Sequence, residues 1–502
     1  MHLYQSTSTS KDNSVNPRSG PLRVAIVGAG CTGLRIATLF KKLAQQRSEF
    51  SSLELVVFEA TATFGGFLQS KQNAEGVLIE SGAQGVLSSR IAFLKTLEDL
   101  ALTPNDVIAP SRDSKRSRRF VISPLGKITP LPSNPLLLWR SGLLNPLQLM
   151  RIFAEFFFIR RPSIPNFNET LLDFFKRHFG KAFAQNLVVP FATGIWGGGA
   201  EKLLLRHTFP GLSEMERQSP SLLRLTLFRV LFGRKNQSPE KNTLTHTWPK
   251  GLLSFPGGMN VLTSKMIEHL KTWQGAFEIR YKTPIHTIAK TSQGEFVLND
   301  EFKFDCVFWT TGPWNTPDLK FENALAQNDW HALQKTPTHN LIVCNISGPR
   351  NPNTQDGFGV LAGGASDGLL GVLFTHSIYS EHVPKDHFSY RILLGGDRNP
   401  GMVNWTDAQI QNYCLEQLKS LKFIPAQDIP YKTEIVRWRR AVCLADVEHD
   451  ERLAALWRIE ACLPNLHFAG IYKKGIGVAD ALSSAQEEFD SCLKGWPWCK
   501  IP

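Results

Sequence analysis

The hydrophobic pattern is most telling near the start of the chain. From Leu22 the sequence LRVAIV gives a short β-branched run, then glycines at 28, 30 and 33, then apolar residues at helical spacing through CTGLRIATLFKKL. This order predicts strand, tight turn and helix. A second apolar run over 53–59, LELVVFE, predicts a parallel strand ending on Glu59. Further strand patterns occur over 303–310 (KFDCVFWT), 388–394 (FSYRILL) and 466–469 (LHFA). The last of these leads through Gly470 into GIGVADALSSAQEEF, which has helical spacing. Asp, Gly and Asn over 351–367 mark loops.

Strand, glycine turn, helix and a second strand ending in a carboxylate form a dinucleotide-binding fingerprint. Gly28 makes the turn, Gly30 lets backbone approach a pyrophosphate, and Gly33 lets the helix pack close on the strand. The helix start, with Ala29, Cys31 and Thr32, then faces the phosphates. Glu59, followed by Ala60, accepts from ribose hydroxyls and disfavours a 2′-phosphate, so FAD or NAD is expected and NADP is not. Two more glycine blocks, Gly65-Gly66-Phe67 and Gly82-Ala83-Gln84-Gly85, would let backbone amides reach a flavin. The turn from Gly470 to Val478 would put helix-start N–H groups beside the isoalloxazine carbonyl. One site is thus expected from both chain ends.

Two apolar segments, 134–161 and 221–235, interleave aliphatic and aromatic residues with Arg140, Arg151, Arg160, Arg161, Arg224, Arg229, Arg234 and Lys235. They resemble helices that lie in a bilayer interface, although the core of a helical subdomain or a homodimer face gives the same periodicity. The cations alternate with aliphatic rather than stacking aromatic residues, so nucleic acid is not expected.

Composition narrows the class. A chain of 502 residues, 42% hydrophobic and 20% charged, has room for more than one folded unit and no bias towards disorder. Its net charge of +12 favours an anionic partner. The eight cysteines form no CxxC pair and no Cys/His group at zinc-like spacing, so no metal site and a reducing compartment are expected. The first twenty residues read as a disordered leader, with an organelle transit segment as the alternative. No apolar run is long enough for a spanning helix.

The chain resembles the protoporphyrinogen oxidase family, within the flavin-containing amine oxidase superfamily. The likeness runs from about residue 22 to 490 and includes VVPFATGIWGGGAEKLLLRHTFPGL (188–212), SFPGGMNVL (254–262), GFGVLAGGASDGLLGVLFTHSIYSEHVP (357–384), WRRAVCLADVEHDERLAAL (438–456) and HFAGIYKKGIGVADAL (467–482). It implies an α/β fold: a Rossmann-like FAD-binding domain (21–100, 250–320, 435–495), an inserted mixed-sheet substrate domain (101–132, 321–434) and a helical, membrane-associating subdomain (133–249). It implies non-covalent FAD held by residues 28–33, Glu59, Ala60, 65–67, 82–85, the backbone of Ile285, Gly470, and the turn Ile476-Gly477-Val478.

For substrate, the resemblance implies that Arg119 pairs with a porphyrinogen propionate, that Gly194 lines the cavity, and that Leu361 and Phe374 sandwich the macrocycle. The implied reaction removes six electrons from protoporphyrinogen IX in three flavin cycles, with O₂ as acceptor and H₂O₂ as product. Such chemistry needs no Ser/His/Asp machinery, and no catalytic side chain is singled out. Coproporphyrinogen III as substrate, or a flavin- or porphyrin-binding paralogue without turnover, stays open at this point. The expected setting is the cytoplasm, peripheral on the cytoplasmic membrane, or an organelle inner membrane if the leader is a transit segment. The same resemblance makes a ferrochelatase the expected recipient of the product. Two departures from the family pattern stand out: Thr63 where an arginine is usual, and AVCLAD over 441–446.

Overall fold

A computed structural model describes residues 20–495, apart from 112, 114, 124–125, 133–137, 139–140, 158–167, 232–243, 317, 364–366 and 428. The expected leader, with Arg140, Arg160, Arg161, Arg234 and Lys235, lies outside the described residues.

Strands Arg23–Val27 and Glu54–Phe58 flank the helix Cys31–Gln46, as the pattern predicts, and pair in parallel. They belong to a five-stranded sheet in the order Leu466–Phe468, Cys306–Trp309, Arg23–Val27, Glu54–Phe58, Ala276–Arg280. Helices cover both faces, which explains why Val24, Ala25 and Ile26 are all solvent-free and why the strand reads as unbroken apolar sequence. The run over 303–310 is two strands rather than one. Phe302–Phe304 joins a separate four-stranded sheet, while Cys306–Trp309 enters the parallel sheet. The break falls at Asp305, whose carboxylate accepts from Arg23 N at 2.9 Å.

The second large sheet has seven strands, in the order Lys432–Cys443, Thr338–Pro349, His387–Gly395, Leu369–Phe374, Gly359–Leu361, Arg119–Ile122, Ile128–Leu131. One face packs on the helix Asp407–Ser420 through Val360, Val372, Phe374, Tyr390 and Ile392. Register puts Arg119, Leu361, Leu373, Arg391 and Trp438 on the other face. The domain boundaries shift accordingly. Strand Lys432–Cys443 continues this sheet past the expected limit at 434. Helix Ala324–Gln334 packs instead on His449–Cys462 and buries Trp330 and Leu333 beside the parallel sheet.

Residues 141–231 contribute helices Pro146–Ala154, Leu171–Phe179, Val189–Trp196, Pro210–Gln218 and Leu222–Leu231. Asn145 caps the first, its side chain accepting from Gln148 N while Gln148 returns a bond to Asn145 N. Glu155, fully buried, is the hub of this subdomain. It accepts from Ser221 Oγ (2.8 Å), Leu222 N (2.7 Å) and Leu223 N (3.2 Å), and meets His178 Nδ1 at 3.0 Å. His178 also meets Glu216, which Arg177 bonds at 2.7 Å while gripping Glu169 with two nitrogens. Burial opposes a charged imidazole, but the bonds to Glu155 and Glu216 outweigh it and raise the His178 pKa. Burial likewise opposes the Glu216 carboxylate, and its His178 and Arg177 partners overcome it, holding the pKa near 2.

Replacing Glu155 with Ala strands a buried histidine and three donors, and should cost roughly 3–5 kcal/mol. Thermal unfolding of E155A against wild type measures this, and limited proteolysis should cut first within 141–231. Because the folded pKa of His178 is raised, its stabilisation is complete below its unfolded value of about 6.5 and is lost as pH rises through the folded value. An unchanged melting temperature for E155A would refute the account.

Candidate functional site

The site is built at the carboxyl edge of the parallel sheet, where the glycine turn leaves the first strand. Gly28 has φ +110°, and a Cβ there would lie 2.8 Å from Thr310 Oγ1, which is fixed by donating to Val27 O. A Cβ on Gly33 would come within 2.0 Å of the Gly28 carbonyl oxygen. Gly30 differs: nothing lies within 4 Å of the position its Cβ would take. It is the N-cap of Cys31–Gln46, no side chain caps that helix, and its first turn holds no acid. Open space above uncapped helix-start N–H groups is what an anionic pyrophosphate requires. The chain therefore fits FAD at this end, with Ala29, Cys31 and Thr32 forming the rim.

Glu59 holds the turn in shape. Its Oε2 accepts from Ala29 N at 3.0 Å, while Oε1 accepts from Thr61 N (2.9 Å) and Thr61 Oγ1 (2.8 Å). A carboxylate offers about four lone-pair sites, so capacity remains for a ribose hydroxyl beside the exposed Ala60. The segment carrying Ile285 runs alongside, with Thr283 N donating to Glu59 O at 2.9 Å, and Ile285 itself is buried. Thr63 is exposed, and its carbonyl accepts from Thr61 Oγ1 at 2.8 Å.

The second glycine block folds over the first. Gly65 N donates to Ala29 O at 2.8 Å, and a Cβ on Gly66 would sit 3.4 Å from Gly30 Cα. Phe67, partly exposed, packs edge-on to Trp438 with centroids 4.8 Å apart. Gly82 and Gly85 are required by chain crossings rather than by a ligand alone: their Cβ positions fall 1.8 Å from Phe67 O and 2.6 Å from Leu253 O. Ala83 and Gln84 lie between them.

Two side chains missed in the sequence bind this segment to the second sheet. Arg391, fully buried, donates to Gly82 O and, at 3.1 Å, to Gln84 Oε1. Burial lowers its pKa to about 10, offset in part by Glu80. Trp438 Nε1 donates to Ser81 O at 2.7 Å. A lone arginine inside the apolar strand FSYRILL was the available signal for the first.

At the far end, Gly470 N donates to Ser484 Oγ at 2.9 Å, and Gly477 N donates to Asp480 Oδ2 at 3.1 Å. One helix-start amide is thus already taken by a carboxylate, which Arg90 approaches at 3.3 Å. Ile476 and Val478 are half-buried, and Ile476 packs on the cluster that contains Ala441, Val442 and Leu444. The AVCLAD stretch accordingly forms the wall where the helical subdomain meets this turn.

Across from the cradle, Leu361 and Gly194 come together: a Cβ on Gly194 would lie 2.5 Å from a Leu361 methyl. Helix Val189–Trp196 is held there by Arg398, which reaches Thr193 Oγ1 and Gly363 O, and by Asp397, which accepts from Gly199 N. Arg119 lies on the same sheet face, exposed, with its guanidinium 5.1 Å from the Phe358 ring centroid. Among the described residues no carboxylate pairs with it. Phe374 does not belong to this set. It points to the opposite face, solvent-free against Phe120, Tyr390 and Phe423, because strand side chains alternate. Its neighbour Leu373 occupies the face shared with Leu361.

A parallel-sheet domain with an uncapped glycine turn, joined to an antiparallel-rich sheet that faces it, defines an FAD oxidoreductase of two interleaved domains. The chain belongs to the flavin-containing amine oxidoreductase family, whose model matches residues 39–490. It is 26% identical over 493 residues to the mitochondrial protoporphyrinogen oxidase of Nicotiana tabacum, covering 93% of this chain and 94% of that one. It is 24% identical over 476 residues to the coproporphyrinogen III oxidase of Staphylococcus aureus, covering 92% and 97%. A crystal structure from Exiguobacterium, provisionally named protoporphyrinogen oxidase, superposes with TM-score 0.77 at 20% identity, covering 94% and 98%. Reduced UDP-galactopyranose mutase shares the fold with TM-score 0.67 at 14% identity, covering 94% of each chain. The protein is thus an oxidoreductase with FAD as its cofactor.

Glu59→Gln removes charge from bonds that shape the turn, and should weaken FAD retention about 10- to 100-fold. Gly33→Ala should abolish retention, because backbone cannot yield by the distance required. Flavin-to-protein ratio after gel filtration reads both, and full flavin content in G33A would contradict the geometry.

Proposed function

We propose that this protein oxidises a porphyrinogen, with protoporphyrinogen IX as substrate and O₂ as final acceptor, giving protoporphyrin IX and H₂O₂. The observation that carries the reading is one sheet face opposite the FAD cradle, where Arg119, a cation with no carboxylate partner among the described residues, stands on the same face as the apolar pair Leu361 and Gly194. A tetrapyrrole is a wide apolar disc with carboxylates on its rim. Arg119 suits a propionate because guanidinium and carboxylate pair through two parallel bonds. Its stacking on Phe358 limits the rotamers it must give up on binding. The absence of a side chain on Gly194 lets the helix seat directly on the Leu361 methyl, and the pair supplies an apolar contact.

FAD held in the cradle of residues 28–33 and Glu59 would supply the two-electron redox chemistry. The chain's own residues position and enclose. Trp438 and Arg391 lock the 81–84 segment to the substrate sheet, so cofactor cradle and substrate face keep a fixed separation. The curated relatives include coproporphyrinogen III oxidases. That substrate carries four propionates and would call on the half-buried Arg116 and the exposed Arg118 as well.

The protein works at a membrane surface in this reading, in the cytoplasm or on an organelle inner membrane. Helix Pro146–Ala154 and the turn after it leave Leu147 (75%), Met150 (65%), Phe153 (61%) and Phe157 (66%) exposed. Leu227 and Phe228 of the neighbouring helix are exposed too. Such a patch fits a bilayer interface. The cations there serve locally as well: Arg151 bonds the carbonyls of Arg177 and His178, and Arg224 those of Phe156 and Phe157. No helix of the described residues is long and apolar enough to cross a membrane. Hand-off of product to a ferrochelatase fits the same setting.

Anaerobic mixing with protoporphyrinogen IX should bleach the flavin, and air should then yield porphyrin fluorescence above an enzyme-free control. An unbleached flavin would sink the reading. Coproporphyrinogen III turned over faster than protoporphyrinogen IX would reassign the substrate. Arg119→Ala should raise KM about 10- to 100-fold with little change in kcat, and Arg119→Lys should recover part of it. Equal effects from R118A would move the assignment by one residue. Leu147→Glu with Phe153→Glu should abolish sedimentation with acidic liposomes while leaving turnover in detergent intact.

A further inference from the structure

We infer that Cys306, His467 and Cys492 form a buried binding site for a thiophilic divalent cation of the zinc class. Their ligand atoms all lie within 4.8 Å of one another. The residues are far apart in sequence: Cys306 begins one strand of the parallel sheet, His467 sits on its neighbour, and Cys492 is near the end of helix Val478–Gly495. Cys306 and Cys492 are solvent-free or nearly so, at 0% and 3%.

The surroundings resemble those of a metal-binding histidine. Glu488 Oε1 lies 3.2 Å from His467 Nδ1, and Lys473 holds the other oxygen of that carboxylate. A carboxylate on one ring nitrogen fixes the ring and increases its basicity as a ligand, a usual outer arrangement of zinc sites. Phe308 stacks on the imidazole at 4.9 Å and shields it from solvent on that side. Ligand atoms of tetrahedral zinc, at bond lengths of about 2.0–2.3 Å, sit roughly 3.5–3.8 Å apart. A movement on the order of 1 Å therefore closes the site around an ion.

The charges balance. Each thiol loses its proton to solvent on binding, and two thiolates neutralise a divalent cation, which suits a buried position. A water completes four-coordination. No electron transfer is involved, since zinc has a single stable charge state in proteins.

The site lies apart from the turn that opens the terminal helix. Cys492 lies fourteen residues beyond Val478 on one helix, about 21 Å along its axis from the flavin turn. Cys306 and His467 are on strands whose opposite ends lead to Thr310 and Gly470. An ion here would pin the far end of the terminal helix to the sheet and thereby hold its start beside the cofactor.

The test uses the FAD-loaded full chain, reduced with a phosphine, incubated with zinc chloride and gel-filtered. One zinc per chain should remain by mass spectrometry. X-ray absorption at the zinc edge should show two sulfur neighbours near 2.3 Å with nitrogen or oxygen near 2.0 Å. Cys306→Ser and Cys492→Ser should each lower zinc affinity at least tenfold, His467→Gln should also weaken it, and the exposed Cys462→Ser should not. The unfolding midpoint of wild type should rise with zinc. Because the absorption spectrum is taken on wild type, a variant that fails to fold leaves the result readable. Loss of zinc on gel filtration, a shell of nitrogen and oxygen alone, zinc retained by C306S or C492S, or a Cys306–Cys492 disulfide in the unreduced protein would each overturn the inference.

Discussion

The contact on which the site depends is the approach of the first helix to the first turn, where a Cβ on Gly33 would lie 2.0 Å from Gly28 O. Only absence of a side chain permits it. Because the helix comes this close, its start is aimed at the carboxyl edge of the sheet, and the N–H groups of its first turn converge on the open space above Gly30. The same closeness brings Ala29 within reach of Glu59 at 3.0 Å, so one carboxylate closes the turn. Gly65 then pairs with Ala29 O, laying the second glycine block over the first. Cradle, rim and cover follow from one steric fact.

The second sheet depends on strand parity. Side chains on adjacent residues point to opposite faces, so Leu361 and Leu373 face the cradle while Val360, Val372 and Phe374 enter the core. That is why the expected partnership of Leu361 with Phe374 fails: the two are of opposite parity once Leu361 is registered with Gly371. The aromatic residue looked like a macrocycle wall in a glycine-rich block, but it fills the contact with Tyr390 and Phe423. Gly194 with Leu361, read from separate blocks, do meet, because Asp397 and Arg398 anchor the helix carrying Gly194.

Local signals accounted for much of this. The fingerprint over 22–59 and the strands over 388–394 and 466–469 were legible, since each element announces itself through periodicity and turn residues within about thirty positions. What escaped was contact between distant segments. Asp305 splits one apolar run because its partner is Arg23, and no local pattern shows that pairing. Arg391 reads as an oddity in a strand until Gly82 and Gln84 fold against it. The cluster of Cys306, His467 and Cys492 shows no motif spacing, since three elements bring it together. Glu155 gave no signal either, although Ser221 and two backbone amides depend on it.

Electrostatics at the turn that opens the terminal helix follow from the same logic of occupied donors. A helix start stabilises negative charge through its unpaired N–H groups. In Val478–Gly495 the Gly477 amide is committed to Asp480, a carboxylate that itself opposes negative charge nearby. Arg90, at 3.3 Å from Asp480, offsets that carboxylate. The net field at the turn is therefore a balance of helix, acid and arginine, rather than the helix alone. It couples the start of the terminal helix to the exposed Arg90, which precedes helix Ile91–Asp99, and that helix packs through Phe93, Leu94 and Leu97 against the same core. The charge balance at this turn and the packing of these two helices are consequently one problem, since Arg90 acts on the start of the terminal helix through Asp480.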